Sequence, residues 1–155
     1  MTAWLSPAQQ RAWRALLGMN THLHARLARS LQDSSDLSYA DFAVLVQLTE
    51  APDGRARISE LADLLQWERS RLSHHLKRME ARAHIERSSC PEDGRGQYVS
   101  VTPIGRAAIE QAAPPHVELV RSLVFDGMSE AEVQVLTEIC ERVLAHLGQV
   151  PQKVT

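Results

Sequence analysis

Between Arg69 and Ala83 the sequence sets hydroxyls, an imidazole and cations at helical spacing. On a wheel of about 100° per residue, Leu72, Leu76, Met79 and Ala83 fall within roughly 40° of one another. Opposite them lie Ser70, His74 and Lys77, with Ser73 on one edge and Arg71 and Arg78 on the other. No carboxylate stands at the centre of that face. A face of donors without competing negative charge suits the acceptors on guanine and adenine edges and the oxygens of phosphates. The alternative is an ordinary solvated helix face, which more often mixes Lys with Glu one turn apart.

A second cationic feature follows. Asp93-Gly94-Arg95-Gly96 reads as a glycine-flanked hairpin tip, from which Arg95 can reach into a narrow minor groove of negative potential. Asp93 would repel phosphate if left free, so it is expected to pair with Arg95 or Arg87. Catalytic chemistry finds no comparable support. Gly-x-Ser-x-Gly, phosphate-loop and His-Glu-x-x-His patterns are absent. His74 and His75 point about 100° apart on a helix, and His22 and His24 diverge further, so neither pair makes a chelate. The expectation is therefore no catalytic residue, no metal site and no cofactor.

These groups need elements to hold them. Ser6-Pro7-Ala8-Gln9 opens a long helix of about residues 7–32, carrying Trp13, Leu16, Leu17, Leu23, Leu27 and Leu31. Ser38 caps a second helix, with Leu37 and Phe42 spaced as a hydrophobic staple, and Ala51-Pro52-Asp53-Gly54 ends it. Ile58, Leu61, Ala62 and Leu65 mark a short amphipathic helix, and the segment from Arg69 follows after Gln66-Trp67. Two such helices joined by a few residues make a helix-turn-helix. Residues 85–88 and 97–101 alternate as two strands of a hairpin, in other words a wing. Thr102-Pro103 starts a helix that Pro114-Pro115 is expected to stop, and another covers about 116–125. Ser129-Glu130-Ala131-Glu132 is a capping box for a last helix striped by Val133, Leu136, Cys140, Val143, Leu144 and Leu147.

Composition sets the class. A chain of 155 residues with 44% apolar content can bury a core. Its net charge of −2 argues against indiscriminate coating of nucleic acid. The distribution is uneven: residues 66–106 hold eight Lys/Arg against five Asp/Glu, and the remainder holds nine against fourteen. No apolar run reaches the roughly 18 residues of a membrane span, and the first residues lack a signal-peptide pattern, so a cytoplasmic protein without membrane contact is expected. Cys90 and Cys140 stand outside any Cys-x-x-Cys pair and read as reduced thiols, Cys140 as buried packing.

The pieces together resemble the MarR family of bacterial transcriptional regulators. The resemblance rests on Ile58-Ser59-Glu60-Leu61-Ala62, the run Arg69 to Glu80, the wing Cys90 to Gly96, and Val101-Thr102-Pro103-Ile104-Gly105. It implies a mainly α fold with a small β-hairpin wing, a winged helix-turn-helix, whose N- and C-terminal helices form a dimerisation region. The implied layout is a dimerisation helix over 1–37, a DNA-binding region over 38–113 and dimerisation helices over 114–155. Double-stranded DNA and a second copy of the chain are the implied partners. Ser70, Arg71, Ser73, His74, Lys77 and Arg78 would face the major groove and phosphates, Arg95 the minor groove, with Asp93 and Arg87 supporting the wing. The sequence departs from the family where glycine is common: Gln66-Trp67-Glu68 occupies the turn, and Ala83-His84 follows the recognition helix.

Such regulators respond to small aromatic or anionic effectors, which makes Trp13, His22 and Arg26 candidate ligand contacts. The competing reading puts Trp13 in the core and leaves His22 and Arg26 solvated. Two further alternatives are redox sensing through Cys90, beside Arg87, and a winged helix that binds protein rather than DNA.

Overall fold

The computed structural model describes residues 4–89 and 96–148. The chain divides into two compact units, 1–116 and 117–155. The first begins with α1 (Pro7–Ser34), opened by the reciprocal bonds of Ser6 and Gln9. α2 (Tyr39–Glu50) begins with the same device, Ser38 and Asp41. A single 3-10 turn (Pro52–Gly54) leads into β1 (Arg55–Arg57), a strand that the sequence pattern did not disclose. α3 (Ile58–Leu65) and α4 (Arg69–Ala81) form the helix-turn-helix, and β2 (Ile85–Ser89) and β3 (Gln97–Val101) follow. The sheet is antiparallel in the order β1-β3-β2, with Ala56 opposite Val99 and Arg87 opposite Val99 on the other side. Helix and sheet share one core of Leu31, Leu45, Leu48, Leu61, Leu72, Leu76, Met79 and Val99.

Three expectations are corrected. α5 runs from Pro103 to Val120 straight through Pro114 and Pro115. The two missing N–H groups leave the carbonyls of Glu110 and Gln111 unbonded within the helix, but both residues are exposed and water can satisfy them. Ala83 lies beyond the end of α4, exposed at φ 57°, rather than on its buried stripe. Trp13 is half exposed, at 51%, and is not core.

The second unit begins with the end of α5, continues through a π turn (Arg121–Phe125) and closes with α6 (Glu130–His146). The Ser129–Glu132 capping box forms as expected. α6 buries none of its residues, and Val135, Ile139 and Val143 stand open. Cys140 is therefore exposed, not buried. Among the described residues no helix is long and apolar enough to cross a membrane.

The base of the wing is a tight crossing. The Thr102 hydroxyl donates to the Ala83 carbonyl at 2.6 Å and accepts from the Gly105 N–H at 3.0 Å. A Cβ at position 105 would lie 2.0 Å from the His84 carbonyl oxygen, so the glycine is a steric requirement. Gly105→Ala should cost at least about 2 kcal/mol in urea denaturation, and an unchanged midpoint would contradict the contact.

Two buried groups, Asp41 and His84, and the half-buried His116 shape the pH dependence. Burial pushes the His84 imidazole down, reinforced by Arg82 and opposed by Asp41 and Asp36. Burial alone pushes His116 down. Burial would raise the Asp41 carboxyl, but contacts from His75, Arg82 and Ser38 outweigh it and hold the group well below the usual carboxylate range. Each folded-state value is depressed, so each contribution is complete above the unfolded pKa and is lost as pH falls. Stability should decline from about pH 6.5 downward through the two histidines, and again below about pH 4 through Asp41. Denaturation at a series of pH values checks this; the first decline should flatten in His84→Gln combined with His116→Gln, and a decline of unchanged slope would clear both imidazoles.

Candidate nucleic-acid interface

α4 turns its leucines inward as the wheel requires. Leu72, Leu76 and Met79 are fully buried, while Ser70, Arg71, Ser73, His74, Lys77 and Arg78 are all exposed. The helix is set by its two ends. At the turn, Gln66 takes a left-handed conformation, φ 53°, where glycine would be unstrained, and its N–H closes on the Ala62 and Asp63 carbonyls. Glu68 caps α4 without a side-chain bond, leaving the first N–H groups of the helix unshielded by a hydroxyl. Trp67 is half-buried between α4 groups: the Arg71 guanidinium lies 4.7 Å from its ring and His75 meets it edge-on at 5.6 Å. Arg71 is thus a partly ordered cation at the start of the exposed face.

The far end of α4 is tied down electrostatically. Arg82 reaches Asp41 at 2.7 Å and His75 stands 2.9 Å from the same oxygen. Arg87, one of the two residues expected to support the wing, has a partner on α4. Arg87, on β2, closes on Glu80 of α4 at 2.6 Å, which also holds the Glu80 carboxyl below its ordinary value. Strand β2 is therefore braced against the end of α4. Asp93, expected to pair with Arg95 or Arg87, lies outside the described residues together with Arg95 and Cys90.

Sequence reasoning missed a further basic cluster. β1 carries Arg55 and Arg57 on one face of the sheet, 5.0 and 5.6 Å from the Tyr98 ring of β3. The signal was present as an Arg-x-Arg alternation, but three residues are too few to show a strand period. Trp13, His22 and Arg26 are all exposed on α1, and none lines the polar depression formed by Gln32, Asp36, Asp41 and Arg82. Among the described residues no group of His, Cys, Asp and Glu is placed to hold a metal ion.

Comparison with known proteins converges on one family. The MarR family model matches residues 35–96. AbsC, a MarR family transcriptional regulator from Streptomyces coelicolor, is 34% identical, with 96% of this chain and 100% of that one covered and a TM-score of 0.89. Sco3205, a MarR family transcriptional regulator from the same organism solved in complex with DNA, is 35% identical over 99% of this chain and 95% of its own, also at a TM-score of 0.89. The HTH-type transcriptional repressor IacR of Pseudomonas putida is 29% identical over 128 residues, 81% of this chain and 75% of that protein.

Proposed function

This chain belongs to the MarR family of DNA-binding winged helix-turn-helix transcriptional regulators, and from that premise we propose that it binds a pseudo-palindromic operator as a homodimer and represses transcription. The observation that carries the reading is the partition of α4, with apolar side chains sealed inward and Ser70, Ser73, His74 and Lys77 projecting together. Arg71 and Arg78 flank them toward the phosphates, and the minor groove is assigned to Arg95, with Asp93 and Arg87 in support of the wing. Repression follows the behaviour of IacR, which is named a repressor.

Two uncovered apolar faces support the homodimer. Trp13, Leu16 and Leu17 are about half exposed on α1, as are Val135 and Val143 on α6. Patches of this kind on terminal helices are hidden by a second copy in a closed symmetric pair. Residues 1–37 and 114–155 accordingly serve dimerisation, and 38–113 serve DNA. For an aromatic acid as effector, Trp13 would supply a wall and His22 and Arg26 a donor and a counter-charge; about 180° of α1 separates Trp13 from His22, so the two would reach one molecule only from different copies of the chain.

Titration against salt tests the groove assignment. Log affinity should fall with log salt at about 0.9 per phosphate contact, and Lys77→Ala should reduce that slope by about one unit while weakening all sequences alike. His74→Ala should instead harm the cognate site preferentially. If neither substitution alters binding, α4 does not face DNA, and a protein-binding winged helix gains the support.

Symmetry gives an independent check. Footprinting on a duplex selected from random DNA should show two inverted half-sites with centres about 10 bp apart. Protection without inverted symmetry would remove the dimeric operator.

A further inference from the structure

His75 is the buried residue of α4 that the inward leucine stripe does not explain. It is 7% exposed, one turn before the exposed Arg78, and the Arg78 Nη2 lies 3.0 Å from its Nδ1. A guanidinium has donors only, so Nδ1 must be bare and accept. A neutral ring then carries its proton on Nε2, 2.9 Å from Asp41 Oδ1. That N–H is not aligned for a hydrogen bond, and the contact works as a dipole against a carboxylate. Arg82 neutralises the same oxygen from the other side at 2.7 Å, and the Trp67 ring closes the remaining edge. Asp41 is itself fixed, because its carboxylate accepts from the Ser38 N–H at the cap of α2.

We propose that His75 is a positioning residue for DNA binding: the buried ring, set by Asp41, holds Arg78 in one orientation so that its remaining N–H donors meet the DNA backbone already ordered. The inference rests on the reading of α4 as the DNA-facing helix. An arginine on a free surface loses rotamer freedom when it binds, and one held beforehand by an imidazole has less to lose. The difference should amount to about two- to ten-fold in affinity.

A double-mutant cycle on the full chain tests it, with anisotropy of an operator duplex selected from random DNA by the wild-type protein. Arg78→Ala should weaken binding roughly three- to ten-fold in the wild-type background and less than about two-fold beside His75→Leu. His75→Gln, whose amide oxygen can accept from Arg78, should restore most of the coupling. An equal Arg78→Ala loss in both backgrounds overturns the positioning role and leaves the groove reading intact. No loss in the wild-type background removes Arg78 from the interface, and the proposal with it. The tautomer is read on the wild-type protein, independently of whether any variant folds: imidazole 15N resonances should show His75 with a bare Nδ1 and a protonated Nε2, and a proton on Nδ1 at neutral pH overturns the inference.

Discussion

A carboxylate sealed beneath a helix-turn-helix has to be matched by positive charge or by donors, and Asp41 meets that demand from three directions. It accepts from the Ser38 N–H on its own helix, from Arg82 just past α4, and faces the His75 ring on α4. Burial of an unpaired charge costs several kcal/mol, whereas a matched one fixes the geometry of all its partners. α2 and α4 thereby share one anchor. Leu45, Leu48, Leu72 and Leu76 belong to one buried apolar cluster, but apolar contact is non-directional. The charge contacts decide how far α4 can slide or rotate on that surface.

The wing is attached by a second set of short-range constraints. Thr102 bonds the Ala83 carbonyl, its own N–H reaches the His84 carbonyl at 3.2 Å, and Gly105 lets α5 approach that same carbonyl. Glu80 and Arg87 add a charged strut between helix and strand. The motif Thr-Pro-x-Gly is therefore a structural joint. Its threonine, proline and glycine serve cap, first turn and close approach respectively.

Much of this was legible in the sequence. Helix starts were readable because capping boxes are local, with Ser6–Gln9 and Ser129–Glu132 forming as their spacing implies. The inward stripe of α4 followed from period alone. What failed was non-local. β1 is three residues long and exists because β3 offers it an edge, which no periodicity announces. Pro114 and Pro115 read as a stop, yet they sit in α5, where Glu110 and Gln111, whose carbonyls lose their helical partners, are exposed. Leu72 and His75 are both buried on the inward side of α4, but what the second, a polar ring, meets there is non-local: the carboxylate of Asp41. Trp13 and Cys140 lie on apolar stripes that suggest burial from period alone, and both are exposed.

Gln66 and Ala83, two residues with side chains at positive φ, bracket α4. Each reverses the chain where continued helix would have been sterically easier, so the recognition element has hard stops at both ends. Thirteen residues give it a length of about 20 Å, the span of roughly six base pairs of duplex. An added or deleted residue within α4 rotates the side chains on one side of the change by about 100° relative to those on the other. Divergence of binding preference among proteins built this way is thus channelled into exchange of side chains at fixed positions, and insertions are diverted to the segments outside the bracket.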